Sequence, residues 1–378
     1  MNSKLIKLLV VFLIPCLVWF TNPPQGLNLE TWRLFGLMMS LLSGLILQPL
    51  PAPVISLAII GISSLILPKA DVLFTGYATQ GVWFILVVLI AFNAFQKTGL
   101  GKRLAYILLS KFSVTKFGRT SLGLGYIMMI CDFVLSPATG SNTSRSAIVF
   151  PIFKGVAESL GSYPDKEPRK LGAYLELLEH VVAMSTAVMF LTGMASNAVI
   201  ASTIKSVANI ELSWMLWFQA ALVPGGLVLL LSPLIVYKLY PPTLKTFDGI
   251  KELVDKELAE MGSISKQEKL LLLFFFLAMA GWMVGPNIGI GMYAVAFGFL
   301  ALQVLFGILD WNDIMNSKEG WNIFIWYGAF FSLSNAISKG GFYKWLSAEL
   351  GVTLNLAAFD GFTVLILLML LCFAVQCF

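Results

Sequence analysis

Charged residues are scarce in this chain. Only 12% of its 378 residues are Asp, Glu, Lys or Arg, while 58% are hydrophobic, and the mean hydropathy is +0.85. That balance excludes an ordinary soluble domain. Cysteine is scarce as well: Cys16, Cys131, Cys372 and Cys377 all stand inside apolar runs and form no CxxC pair. They give no basis for a zinc site or a disulfide framework and read as small core residues. Histidine occurs once, at His180. No GxSxG, HExxH, Walker or dinucleotide pattern is present, and Gly99-Leu100-Gly101-Lys102 echoes a phosphate loop without its spacing. These absences argue against an enzyme. The net charge of +5 is gathered in a few loops, so it reports topology rather than an affinity for nucleic acid.

Long apolar runs are what the chain has instead. They extend for roughly 15 to 25 residues, the length a helix needs to cross about 30 Å of hydrocarbon. The expected fold is an all-α polytopic membrane protein embedded in a lipid bilayer. Spans are expected at 4–20, 35–47, 54–67, 81–95, 121–135, 171–191, 214–240, 270–284, 288–309, 321–337 and 352–378. The first has a charged start and an apolar body but no small-residue cleavage site, so it reads as a retained helix. Gly36, Ser40 and Gly44 recur at small-xxx-small spacing, which lets a neighbouring helix approach closely. Between 96 and 120 stand Lys97, Lys102, Arg103, Lys111, Lys116 and Arg119 with no acid among them, and basic loops favour the cytoplasm. Residues 243–269 carry both signs at helical spacing and read as an amphipathic cytoplasmic linker.

One polar stretch interrupts the pattern. SPATGSNTSRSAIVFPIF, at 136–153, sets Ser141, Asn142, Thr143 and Arg145 between two apolar runs, where polar groups need partners that lipid cannot supply. It reads as the tip of a re-entrant hairpin over about 136–160. Ser141, Asn142 and Thr143 offer hydroxyl and amide donors, and the following helix start adds a positive dipole end, together a site for carboxylate oxygens. A second break falls at Thr192, Gly193, Met194, Ala195, Ser196 and Asn197, with the helix expected to resume at Ala198; a helix interrupted at mid-span is a mark of a midplane binding site.

Ionisable residues accompany both features. Asp132 and Arg145 flank the tip, either paired across the hairpin or with Arg145 turned to the anion. Glu176, Glu179 and His180 stand on the helix leading to the break. His180 lies near the midplane at about 1.5 Å rise per residue. Two readings stay open for it: a proton-sensing or counter-charge role, and a neutral ring packed against a glutamate.

The chain also echoes itself. Asn93, Ala94, Lys97 and Gly99 recur as Asn335, Ala336, Lys339 and Gly341, always 242 positions apart. The expected organisation is an N-terminal helix and loop at 1–30, a first repeat of an inverted pair at 31–242, the linker at 243–269 and an incomplete second repeat at 270–378. At the same offset the counterpart of Ser141 falls at 383, beyond Phe378. On that ground the chain is expected to be a truncated form, and a non-transporting remnant or assembly partner stays open beside a working carrier.

TWRLFG at Thr31, ILQPLP at Ile46, KTGLGKR at Lys97, GSNTSRSAIVFPI at Gly140, MFLTGMASN at Met189 and YKLYPP at Tyr237 resemble the divalent anion/sodium symporter family. Within it they are most similar to the bacterial and plastid dicarboxylate exchangers for 2-oxoglutarate, malate, citrate or succinate. The resemblance implies an elevator-type secondary transporter of the bacterial inner membrane, a homodimer without cofactor, binding di- or tricarboxylates. It implies substrate contacts at Ser141, Asn142, Thr143, Thr192, Gly193 and Asn197. In sodium-coupled members the cation would lie near Ser141, Asn142 and Gly193, so sodium symport is the alternative to exchange. Three departures stand out: Gly140 where proline is usual, Glu179 and His180 where uncharged polar residues are expected, and no second tip motif.

Overall fold

The computed structural model describes residues 3–66 and 70–376. Among them every regular element is an α- or 3₁₀-helix and no strand forms; Thr120 and Thr246 meet only in an isolated bridge. Among the described residues, five helices are long and apolar enough to cross a membrane: Leu29–Leu47, Gln80–Thr98, Ser121–Ala138, Trp214–Leu239 and Lys266–Ile288. Apolar helices of 10–17 residues include Ala52–Leu65 and Met292–Leu305. Cys131 is buried, but Cys16 and Cys372 are exposed rather than in the core; Cys377 lies outside the described residues.

Packing divides the chain into two units, one of residues 1–79 with 322–378, the other Gln80–Trp321. This grouping cuts across the linear blocks expected from the sequence. In the first unit, Leu34, Leu37, Leu41, Ile55, Ile59, Leu333, Ile337 and Phe342 build one apolar core. The helix Leu29–Leu47 begins six residues before the expected span, because the Asn28 side chain accepts from the Thr31 N–H at 2.7 Å and caps it. Its small residues do the packing their spacing implies. A Cβ on Gly36 would lie 2.8 Å from Val18 Cβ, one on Gly44 would lie 2.6 Å from Ile55 Cγ2, and Ser40 donates to Val11 O at 2.7 Å.

The second unit holds the hairpin, the broken helix and the linker. The linker folds as the amphipathic helix Ile250–Glu260, with Ile250 and Val254 buried. It is clamped, not merely solvated. Ser110 and Tyr106, on the basic helix Leu100–Ser113, donate to Asp255 at 2.6 Å and Glu257 at 2.9 Å. Lys251 and then Ser110, by hydrogen bonding, hold the Asp255 carboxyl below the usual carboxylate range. Arg103 reaches Glu268 Oε1 at 2.6 Å and the carbonyls of Gly262 and Met261, while Glu268 closes a capping box with Ser265. The acid-free basic arm thus finds its acids in the linker.

Where the sequence echoes itself, both copies have one local form. The helix Gln80–Thr98 meets Leu100–Ser113 through Gly99 at φ 78°, and Lys318–Lys339 meets Phe342–Thr353 through a Gly340–Gly341 turn with Gly341 at φ 83°. Only glycine adopts that backbone freely.

Candidate functional site

The leading helix Ser121–Leu135 runs into the 3₁₀ turn Ser136–Ala138, and the hairpin helix Asn142–Ser159 returns from it. The reversal turns on Gly140, at φ 64°, with Phe92 Cδ2 3.0 Å from where a Cβ would sit. Proline, fixed near −65°, has no access to that φ, so this turn excludes proline at 140 and favours glycine. Ser141 follows as N-cap, its hydroxyl accepting from the Ser144 N–H at 3.4 Å.

Arg145 is the knot of the site. Its side chain is 0% exposed, as is that of Asp132, and Arg145 Nε lies 3.0 Å from both Asp132 oxygens. Nη1 donates to Thr139 Oγ1 at 3.3 Å and Gly193 O at 3.4 Å; Nη2 donates to Asn142 Oδ1 at 3.2 Å and Ala183 O at 2.6 Å. All five guanidinium N–H donors are therefore committed. Thr186 completes the cluster by donating to Asp132 Oδ2. One side chain ties together the leading helix, the tip, the helix Gly172–Met189 and the break beyond it.

The break is shorter than its sequence implies. Helix Gly172–Met189 stops, and Ala195–Ala208 resumes three residues before Ala198, so Ser196 and Asn197 are helical. The reason is Asn197, whose amide turns back to donate to Ala187 O at 2.7 Å and Phe190 O at 2.8 Å, satisfying carbonyls that the ended helix leaves bare. Gly193 fits because a Cβ there would lie 2.5 Å from Ala187 O. Thr192 donates to Pro137 O at 3.0 Å and accepts from Trp214 Nε1 at 3.2 Å. Thr192 and Asn197 are buried and occupied with holding the break against the tip.

The remaining residues separate by face. Thr143 is exposed, with no hydrogen bond from its hydroxyl among the described residues; Asn142 places its amide nitrogen 3.0 Å from Met184 Sδ. Glu176 and His180 are exposed on Gly172–Met189, whereas Glu179, between them in the chain, is turned inward and buried. Two further residues meet at the tip, Ser144 and Glu319, neither of them singled out by the sequence. Ser141 Oγ donates to Glu319 Oε1 at 2.7 Å, and Ser144 Oγ lies 3.4 Å from Glu319 Oε2. Glu319 sits in the first turn of Lys318–Lys339, where an acid reads as an ordinary complement to the helix dipole.

A gap of about 10 Å³ lies beside Gly140, Thr192 and Met194, room for about one water at most. A cavity of about 230 Å³ lies instead at the base of the hairpin, between Lys154, Glu158, Tyr163 and Glu176.

A family profile described as the sodium:sulfate symporter transmembrane region matches residues 2–378. The chain is 39% identical over 370 residues to the inner membrane protein YbhI of Escherichia coli, covering 96% of this chain and 76% of that protein. It is 34% identical to a putative malate transporter, YflS, of Bacillus subtilis, covering 91% and 72%. It is 32% identical to an L-tartrate/succinate antiporter of Escherichia coli, covering 88% and 71%.

Proposed function

We propose a carrier function from one premise: the chain belongs to the sodium:sulfate symporter transmembrane family, as a multi-pass protein of the inner membrane. Its cargo is a di- or tricarboxylate of the succinate, malate, 2-oxoglutarate or citrate class, moved by alternating access without covalent chemistry. The observation that carries this reading is Glu319. The tip already holds a carboxylate, that of its own chain, between the hydroxyls of Ser141 and Ser144 at the start of Asn142–Ser159. A helix N-terminus and its hydroxyls are a ready anion site. No free cation is needed, so a bound anion can leave again. Asn142 and Thr143 stand beside it as further donors. The names borne by the malate transporter and the tartrate/succinate antiporter support the same class of cargo.

Exchange is favoured over sodium symport. The buried guanidinium of Arg145 already sits between Asp132 and the Gly193 carbonyl, a resident cation where a coupling sodium would otherwise take oxygen ligands near Ser141, Asn142 and Gly193. An elevator-like passage of the hairpin and a homodimeric scaffold belong to this proposal. The shared helix, glycine, helix form at Gly99 and Gly341 supports an inverted repeat. The test is counterflow of labelled succinate, malate or 2-oxoglutarate into preloaded liposomes, with sodium and with choline. Exchange in both media is expected. Uptake that requires sodium would overturn the exchanger reading, and no exchange of any of these anions would overturn the cargo.

A further inference from the structure

Glu179 lies on the buried face of Gly172–Met189, one residue before the exposed His180. It is 4% exposed, and neither carboxylate oxygen has a hydrogen-bond partner. Three α-helices pack on this helix, the leading helix, the hairpin helix and Trp214–Leu239, together with the 3₁₀ turns Ser136–Ala138 and Pro168–Lys170. The ionisable groups that face Glu179 are Asp132 and the Cys131 thiol from the leading helix, and Arg145 from the hairpin helix; the Ser146 hydroxyl also faces it, short of hydrogen-bond geometry. Arg145 offers no relief, because all five of its N–H donors go elsewhere and its charge is balanced by Asp132. An ionised Glu179 would leave this buried cluster with one uncompensated negative charge, which a low-dielectric surrounding strongly disfavours.

We propose that Glu179 is a proton-binding site of the transport cycle: it takes one proton from water on the side where the tip is open and carries it, as the neutral acid, with the bound dicarboxylate. The proton adds to a carboxylate oxygen, is released to water on the far side, and nothing is oxidised or reduced. The inference rests on the carrier reading. With Glu179 neutral, the cluster of Asp132, Arg145 and Glu179 has no net charge when the hairpin moves; with Glu179 ionised, it stays where it is. Substrate exchange is thereby linked to pH through a residue that does not touch the substrate.

The experiment uses protein reconstituted in liposomes, with exchange of labelled for unlabelled succinate followed at equal internal and external pH over the range in which succinate stays doubly charged. Each leg of an exchange carries one proton with one dicarboxylate, so matched exchange moves no net protons and the readout is the pH profile of the rate. In the wild type, exchange quickens as pH falls. Glu179→Gln, a permanently neutral isostere, is expected to exchange succinate with a flat pH profile. Glu179→Asp is expected to keep a pH-dependent profile, displaced along the pH axis. A wild-type rate that does not change with pH overturns the proton site and leaves the carrier reading standing, as does a Glu179→Gln protein that keeps the wild-type pH profile. Absent exchange in the wild type overturns both. Should Glu179→Gln fail to fold, Glu179→Asp decides, an undisplaced profile overturning the site.

Discussion

Arg145→Met separates a structural knot from a substrate ligand. The substitution keeps much of the side-chain volume but removes all five donors, leaving Asp132 at 0% exposure without its cation, hydrogen-bonded by Thr186 and facing Glu179. Removing one partner of a buried pair costs about 3–5 kcal/mol, because the other charge stays behind uncompensated. That is roughly a 10²- to 10⁴-fold loss in the ratio of folded to unfolded protein. The Thr139 hydroxyl and the Gly193 carbonyl lose a partner as well, so the tip should loosen from the break. Detergent-solubilised variants can be heated and scored for the fraction that stays monodisperse. Arg145→Met should fall apart at a markedly lower temperature, and Asp132→Asn combined with it should recover part of the loss, since the orphaned charge is gone. An Arg145→Met protein that melts with the wild type while losing only anion binding would refute the reasoning and turn Arg145 toward the substrate.

Two further outcomes follow from side chains at the edges of the site. Glu319→Gln removes the tethered carboxylate that shares the tip with the cargo, so succinate should bind roughly two- to tenfold more tightly in titrations of purified protein; unchanged or weaker binding would show that Glu319 is no competitor. Arg103→Leu strands the buried Glu268 and frees the carbonyls of Met261 and Gly262, so limited trypsin digestion should cut at Lys251 and Lys256 faster than in the wild type. Equal digestion would contradict the clamp.

The hairpin and the family were legible because polarity is conspicuous in an apolar chain. Ser141, Asn142 and Arg145 have few competitors for attention, and the motif texts around Gly140 and Met189 lead to the family that the profile match shows. The break was legible in place but not in extent. Ser196 and Asn197 read as helix breakers, yet the Asn197 amide folds back on the carbonyls it would otherwise leave bare. Facing was the harder matter on Gly172–Met189. The helix is apolar most of the way round, so periodicity does not say which of Glu179 and His180 turns inward. Glu319 was beyond reach altogether: it meets Ser141 from 178 residues away, and nothing local distinguishes it from an acid that simply opens a helix.

The central claim is that the Ser141 tip binds a carboxylate that the protein then carries. Counterflow of labelled succinate in proteoliposomes tests it most directly, run side by side on wild type, Ser141→Ala and Asn142→Ala. The account predicts accumulation in the wild type, and its loss in both variants while they remain folded. Accumulation of equal size in all three would contradict it, because the anion would then be held somewhere other than the tip.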